Sequence, residues 1–255
     1  IMQKNKTLIS VIGLGYVGLP LAIELGKKFT VIGFDVKEER IDELKKKIDV
    51  TKEVKKNSFK QSKFLKFTSD YKDLDKARIF IITVPTPIKQ NNSPDLSYIF
   101  SACDYIFPSI KRGCIIVLES TVYPGFCEEI LAPYIQKKTG FKLNKDFFLG
   151  YSPERINPGD NKYKLKNIKK IVSASNQKTL KILCNIYKKI IRAGIYKAET
   201  IKVAESAKVI ENIQRDINVA FVNELSMIFN KMKIDTEEVL KAAGTKWNFL
   251  KFHQD

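Results

Sequence analysis

Apolar positions follow two rhythms along this chain. Short unbroken runs at 7–12, 30–34, 79–84, 114–118 and 147–151 have the length and β-branched content of strands buried on both faces, and 168–173 reads as another. Between them, apolar residues recur every three or four positions. Leu21, Ala22 and Leu25 mark a helix over 17–28, and Ile41, Leu44 and Ile48 mark one over 37–47. Residues 49–65 are polar and Lys-rich, and predict loop with a short helix. Strand alternating with helix predicts a mainly parallel sheet covered on both sides, a Rossmann-like doubly wound α/β fold.

The rhythm changes near residue 195. From 200 to 232 there is no Gly and no Pro, and Val203, Ala207, Ile210, Ile217, Phe221, Leu225 and Ile228 form one apolar stripe. This predicts a single helix on the order of 50 Å long. Asp235 then reads as an N-cap, with Glu238 reaching back in a capping box, and Gly244 as the stop of that helix. The closing stretch 247–255 is aromatic and reads as the start of a further segment. The pattern divides the chain into a Rossmann-like domain over 1–198 and the beginning of a helical central domain over 199–255.

Within that frame the first turn carries chemistry. Gly13-Leu14-Gly15-Tyr16-Val17-Gly18 is GxGxxG, placed after a strand and before a helix. Gly13 permits the turn, Gly15 lets a pyrophosphate approach the backbone, and Gly18 lets the helix pack close. The helix N-terminus adds amide donors for phosphate. Asp35, at the end of the second strand, suits a ribose diol and repels a 2′-phosphate, which predicts NAD rather than NADP.

Composition changes the picture little. In 255 residues, 44% hydrophobic and 29% charged content is that of a globular chain. No run approaches the roughly 18 apolar residues of a membrane span. The net charge is +17, carried mostly by Lys spread along the whole chain. That spread, without clustered Arg or interleaved aromatics, argues against nucleic acid as the partner. Cys103, Cys114, Cys127 and Cys184 show no CxxC spacing, and His253 is the single histidine, so no metal site is predicted. Four free thiols with no secretory signal ahead of the first strand predict a cytoplasmic chain.

Four later motifs follow strands or sit on the long helix: Val84-Pro85-Thr86-Pro87, Glu119-Ser120-Thr121-Val122-Tyr123-Pro124-Gly125, the run from Ser152-Pro153-Glu154-Arg155-Ile156-Asn157 to Asp160, and Ala204-Glu205-Ser206-Ala207-Lys208 to Asn212. With the glycine loop they occur in the order of the UDP-glucose/GDP-mannose dehydrogenase family, which the whole chain resembles. The 152–160 run and Lys246-Trp247-Asn248-Phe249-Leu250 are similar to the branch acting on UDP-N-acetylhexosamines, GlcNAc and GalNAc remaining undistinguished. A UDP-glucose 6-dehydrogenase, a β-hydroxyacid-type dehydrogenase and a non-catalytic NAD-binding, dimerising module are the alternatives.

The resemblance implies two oxidations of C6 with two NAD+, through an aldehyde captured by a cysteine and a thioester that water hydrolyses. It implies that Gly13, Gly15, Tyr16, Val17, Gly18 and Asp35 hold the adenosine half of NAD, with Arg40 near the adenine ribose. Pro85, Thr86 and Thr121 then line the nicotinamide side, and Thr121 also holds a water. Glu154 assists thioester hydrolysis, Lys208 stabilises negative charge at O6, and Asn212 donates to the same oxygen. Arg155 and Asn157 contact the substrate. Glu205 is expected to be structural. The long helix is expected to form a homodimer, and the product to feed capsule or O-antigen synthesis. The family's Gly-Gly-His-Cys segment and its C-terminal UDP-binding domain do not occur in these 255 residues. None of the four cysteines sits in a matching motif, so the chain as written is expected not to complete the four-electron oxidation.

Overall fold

The computed structural model describes residues 8–157 and 164–250. Thr7, the Pro158-Gly159-Asp160 end of one motif, and the tail from Lys251 through His253 to Asp255 lie outside the described residues. The elements run β1 (Leu8–Ile12), α1 (Gly18–Leu25), β2 (Thr30–Phe34), α2 (Glu38–Lys45), α3 (Lys56–Gln61) and β3 (Leu65–Thr68). Next come β4 (Ile79–Ile82), α4 (Ser97–Ile106), β5 (Cys114–Leu118), α5 (Ala132–Thr139) and β6 (Phe147–Tyr151). The order closes with β7 (Lys170–Ala174), α6 (Gln177–Tyr187), β8 (Ile195–Lys197), α7 (Ile201–Met232) and α8 (Thr236–Ala243).

The eight strands form one sheet in the order β3-β2-β1-β4-β5-β6-β7-β8. The order reverses between β1 and β4, which pair in parallel from Ile9↔Ile79 to Ile12↔Ile82. An open α/β sheet binds ligands beyond the carboxyl ends of its strands at such a reversal. β4 shows why the strands read as unbroken apolar runs. Ile79 and Ile81 pack on one layer with α1 and α6, whereas Phe80 and Ile82 pack on the other with α4 and α5.

One strand runs against the rest. β7 pairs antiparallel with β6, Tyr151 facing Ser173 and Gly150 facing Ala174. The chain leaves β6 at the carboxyl edge of the sheet and enters β7 from that same edge. Continuing the register sets Lys170 opposite Glu154.

β3, β8, α4, α5 and α6 add to the elements expected from the sequence. β3 is an edge strand paired only with β2, and its burial is incomplete, so the Lys-rich run around it hid the pattern. α4 buries Ile99, Ala102, Cys103 and Ile106, and α6 buries Leu180, Leu183, Cys184 and Tyr187. Both stripes have helical spacing and were legible.

The chain divides into two units, Ile1–Lys208 and Val209–Asp255. The start of α7 belongs to the first unit and buries Ile201, Ala204 and Glu205. In the second unit no described side chain is buried. Asp235 caps α8 by accepting from the Glu237 amide at 2.8 Å. The expected reach-back of Glu238 is absent. Its carboxylate pairs with Lys241 instead, at 3.0 Å. Gly244 does end α8, with φ −64° rather than in a left-handed turn. No described helix is long and apolar enough to cross a membrane.

Candidate active site

A cavity of about 810 Å³ opens at the reversal between β1 and β4. The glycine loop forms one wall. Gly13 has φ +89°, and its N–H donates to the Phe34 carbonyl at 2.8 Å, so the loop is strapped to β2. Thr83 straps it to β4, its hydroxyl donating to the Ile12 and Gly13 carbonyls at 2.9 and 2.7 Å. A Cβ on Gly18 would lie 1.8 Å from the Gly13 oxygen. A Cβ on Gly15 would meet nothing within 4 Å. Gly18 is therefore a packing requirement, and Gly15 leaves bare backbone at the cavity rim. That bare backbone, at the mouth of a helix N-terminus, fits a pyrophosphate.

Asp35 sits at the tip of β2 and lines the same cavity. Its carboxylate accepts from the Leu14 and Lys37 amides at 2.8 and 3.1 Å, which fixes it beside the loop. Arg40 also borders the cavity, but its guanidinium is largely committed. It donates to the Leu14 carbonyl at 3.1 Å and to Asp49 at 2.8 Å. Asp49 accepts further from the Thr51 hydroxyl and the Val54 amide, and so pins the loop that carries Val50 and Thr51 into the cavity wall. Burial opposes the charge of Asp49, but the bonds from Arg40, Thr51 and Val54 hold its pKa below the usual value.

At the other end, Thr86 donates to the Thr121 carbonyl at 2.9 Å and Ser120 to the Val84 carbonyl at 2.6 Å. These bonds tie the loops after β4 and β5 together. Pro85, Thr86, Thr121, Glu154 and Lys208 all border the cavity there. Arg155 and Asn157 lie outside this wall. The Arg155 guanidinium donates to the Lys169 carbonyl at 3.1 Å, and Asn157 is exposed. Asn212 lies in the second unit, exposed on α7.

Sequence reasoning missed the group beneath this end. Lys170 is buried, and its ammonium lies 2.8 Å from Glu119 and 3.0 Å from Glu154. The Tyr187 hydroxyl donates to the other oxygen of Glu119. Burial works against the Lys170 charge, but the two carboxylates more than offset it and raise its pKa. Burial raises that of Glu119, with Lys170 pulling it back down. Glu119 stands inside a motif already noted. Lys170 follows Lys169, and nothing in the spacing tells which of the two turns inward.

Glu205 is fully buried on the first part of α7 and accepts from the Gly125 and Cys127 amides at 2.6 and 2.9 Å. Those amides open a wide turn at Phe126–Leu131 that continues into α5. All four cysteines are buried, and burial raises every thiol pKa, that of Cys114 to about 11. None is therefore poised as a thiolate nucleophile. No metal-ligating cluster occurs among the described residues.

The glycine loop, Asp35 and the cavity suit a dinucleotide, and residues 7–191 match the NAD binding domain of the UDP-glucose/GDP-mannose dehydrogenase family. Residues 202–254 match that family's central domain. A UDP-N-acetyl-D-glucosamine 6-dehydrogenase of Pseudomonas aeruginosa is 53% identical over 244 residues, covering 96% of this chain and 58% of the relative. One of Salmonella typhi is 53% identical over 248 residues, covering 97% and 58%. The solved UDP-D-ManNAc dehydrogenase of Pyrococcus horikoshii superposes with a TM-score of 0.86 at 28% identity, over 96% of this chain and 59% of that one. The chain thus spans somewhat over half the length of these relatives. With two successive domains matched in order, the chain belongs to the UDP-glucose/GDP-mannose dehydrogenase family.

Proposed function

We propose that this chain carries the cofactor domain and part of the central domain of an NAD-dependent dehydrogenase that oxidises C6 of a UDP-N-acetylhexosamine to the uronate. The observation that carries the reading is one cavity bordered by the glycine loop, Asp35, Glu154 and Lys208. The names of the two 53% identical relatives support the N-acetylhexosamine. NAD, when bound, takes up the hydride. Asp35 and the Gly15 backbone hold the adenosine half, and Pro85, Thr86 and Thr121 border the nicotinamide. Lys208 supplies a cation beside the oxygen that gains negative charge, the kind of fixed electrostatic help that lowers such barriers. Thr121 holds a water, and Glu154 accepts its proton. The setting proposed is cytoplasmic, in surface-polysaccharide synthesis.

We also propose a homodimer through α7. Ile210, Ile213, Ile217, Phe221, Leu225, Ile228 and Met232 repeat every three or four residues and none is buried. An apolar stripe of that length suits an isologous contact with a second copy.

The test is NAD reduction by the protein made from its own gene, with UDP-GlcNAc, UDP-GalNAc and UDP-glucose in parallel. The expected result is about two NADH per N-acetylhexosamine, the stoichiometry of an alcohol taken to a carboxylate. Failure to bind NAD, or turnover confined to UDP-glucose, overturns the reading.

A further inference from the structure

Glu119 and Glu154 share one buried ammonium. Without it, two carboxylates would stand within two hydrogen-bond lengths of each other in a site largely closed to water. Like charges at that range do not both stay ionised. The antiparallel return of β7 delivers Lys170 to this point, opposite Glu154 in the continued register.

We propose that Lys170 is a positioning residue for Glu154, holding that carboxylate in one orientation and cancelling the charge of Glu119 behind it. This rests on Glu154 acting as the base in the proposed reaction. Glu154 Oε1 accepts from the Arg155 and Ile156 amides at 2.6 and 3.0 Å, and Oε2 accepts from Lys170 at 3.0 Å. A carboxylate offers roughly four acceptor sites. These three bonds leave about one, enough to take a proton from a single water. Glu119 is only 2% exposed and its oxygens are taken by Lys170 and Tyr187. Its task is to hold the lysine. The Tyr187 ring, 5.6 Å from the ammonium, closes the far side. Among the described residues, Arg155 follows Glu154 in the chain and Lys208 borders the same cavity.

The test is NADH formation from the UDP-N-acetylhexosamine by full-length protein. The variants are K170R, K170M and the charge-balanced K170M/E119Q. The expected result is a kcat lowered about tenfold or more in K170M with KM kept, and K170R restores most of it. NAD affinity stays within about threefold in all three. If K170M does not fold, K170M/E119Q carries the test, since it removes one charge of each sign and leaves only the bond that orients Glu154 missing. A lowered kcat there, with KM kept, supports the proposal. A parent kcat in the folded double variant overturns it. Should the parent protein bind NAD but oxidise no UDP-sugar, the dehydrogenase reading falls, whereas the Glu154 orientation in a crystal structure of K170M still reports on Lys170.

Discussion

One added carbon should separate Gly15 from Gly18. A Cβ at Gly18 would overlap the Gly13 carbonyl and the Thr83 hydroxyl, so Gly18→Ala must break the strap that holds the loop. Its expected cost is roughly 2–4 kcal/mol of stability together with loss of NAD binding. Gly15→Ala meets no protein atom, so its melting temperature should stay at the parent value while NAD affinity falls tenfold or more. Thermal melts with NAD titrations check both. Asp49 gives a pH prediction at the same scale. Its folded pKa lies below the unfolded 3.8, so its stabilisation is complete above 3.8 and is lost as pH falls through the lower folded value. Asp49→Asn should cost about 3 kcal/mol at neutral pH, because it breaks a pair with the buried Arg40. The gap from the parent should close below pH 3.8 in urea titrations run across pH.

Among the elements, the start of α7 is held within the Rossmann-like unit by the buried Glu205 as well as by Ile201 and Ala204. Each oxygen of Glu205 serves one buried amide at the turn before α5. Glu205→Ala strands both donors, at about 1–3 kcal/mol each. For a unit of this size that is a fall of roughly 5–15 °C in melting temperature. Glu205→Gln keeps one acceptor and turns an NH2 toward the other amide, so its fall should be smaller than that of the alanine variant. Equal melts for the two would argue against this fastening role. The Cys127 thiol beside it gains nothing from the arrangement. Burial and the Glu205 charge keep it protonated.

For the whole molecule, the unburied second unit is the feature to explain. Two helices without a core of their own are stable only against something else. If a second copy covers α7, Ile217→Glu should halve the sedimenting mass and leave NAD affinity unchanged within about twofold. A parent protein that sediments as a monomer at high concentration removes the dimer. The charge of +17 spread over the surface also predicts salt-weakened attraction for anionic nucleotides, visible as a fall in NAD affinity with ionic strength.

Much of this was open to reading from the residues alone, for a physical reason in each case. A buried parallel strand must be apolar on both faces, so β1, β4 and β5 announce themselves as unbroken runs. The glycine loop is legible because its spacing is dictated by backbone geometry, and Asp35 because it ends the next strand. The long helix shows in the thirty-three residues from 200 to 232 that are free of Gly and Pro. What the tertiary structure alone decided are contacts between residues distant in sequence. It turned β7 antiparallel, made Lys170 rather than Lys169 the buried ammonium, and placed Glu119 and Tyr187 behind it. It spent Arg40 on Asp49 and Leu14, and left Arg155 and Asn157 outside the cavity wall. Strand and helix periodicity records which side of an element is covered. It carries no record of which distant charge lies on that side, and that depends on how the chain returns to the sheet.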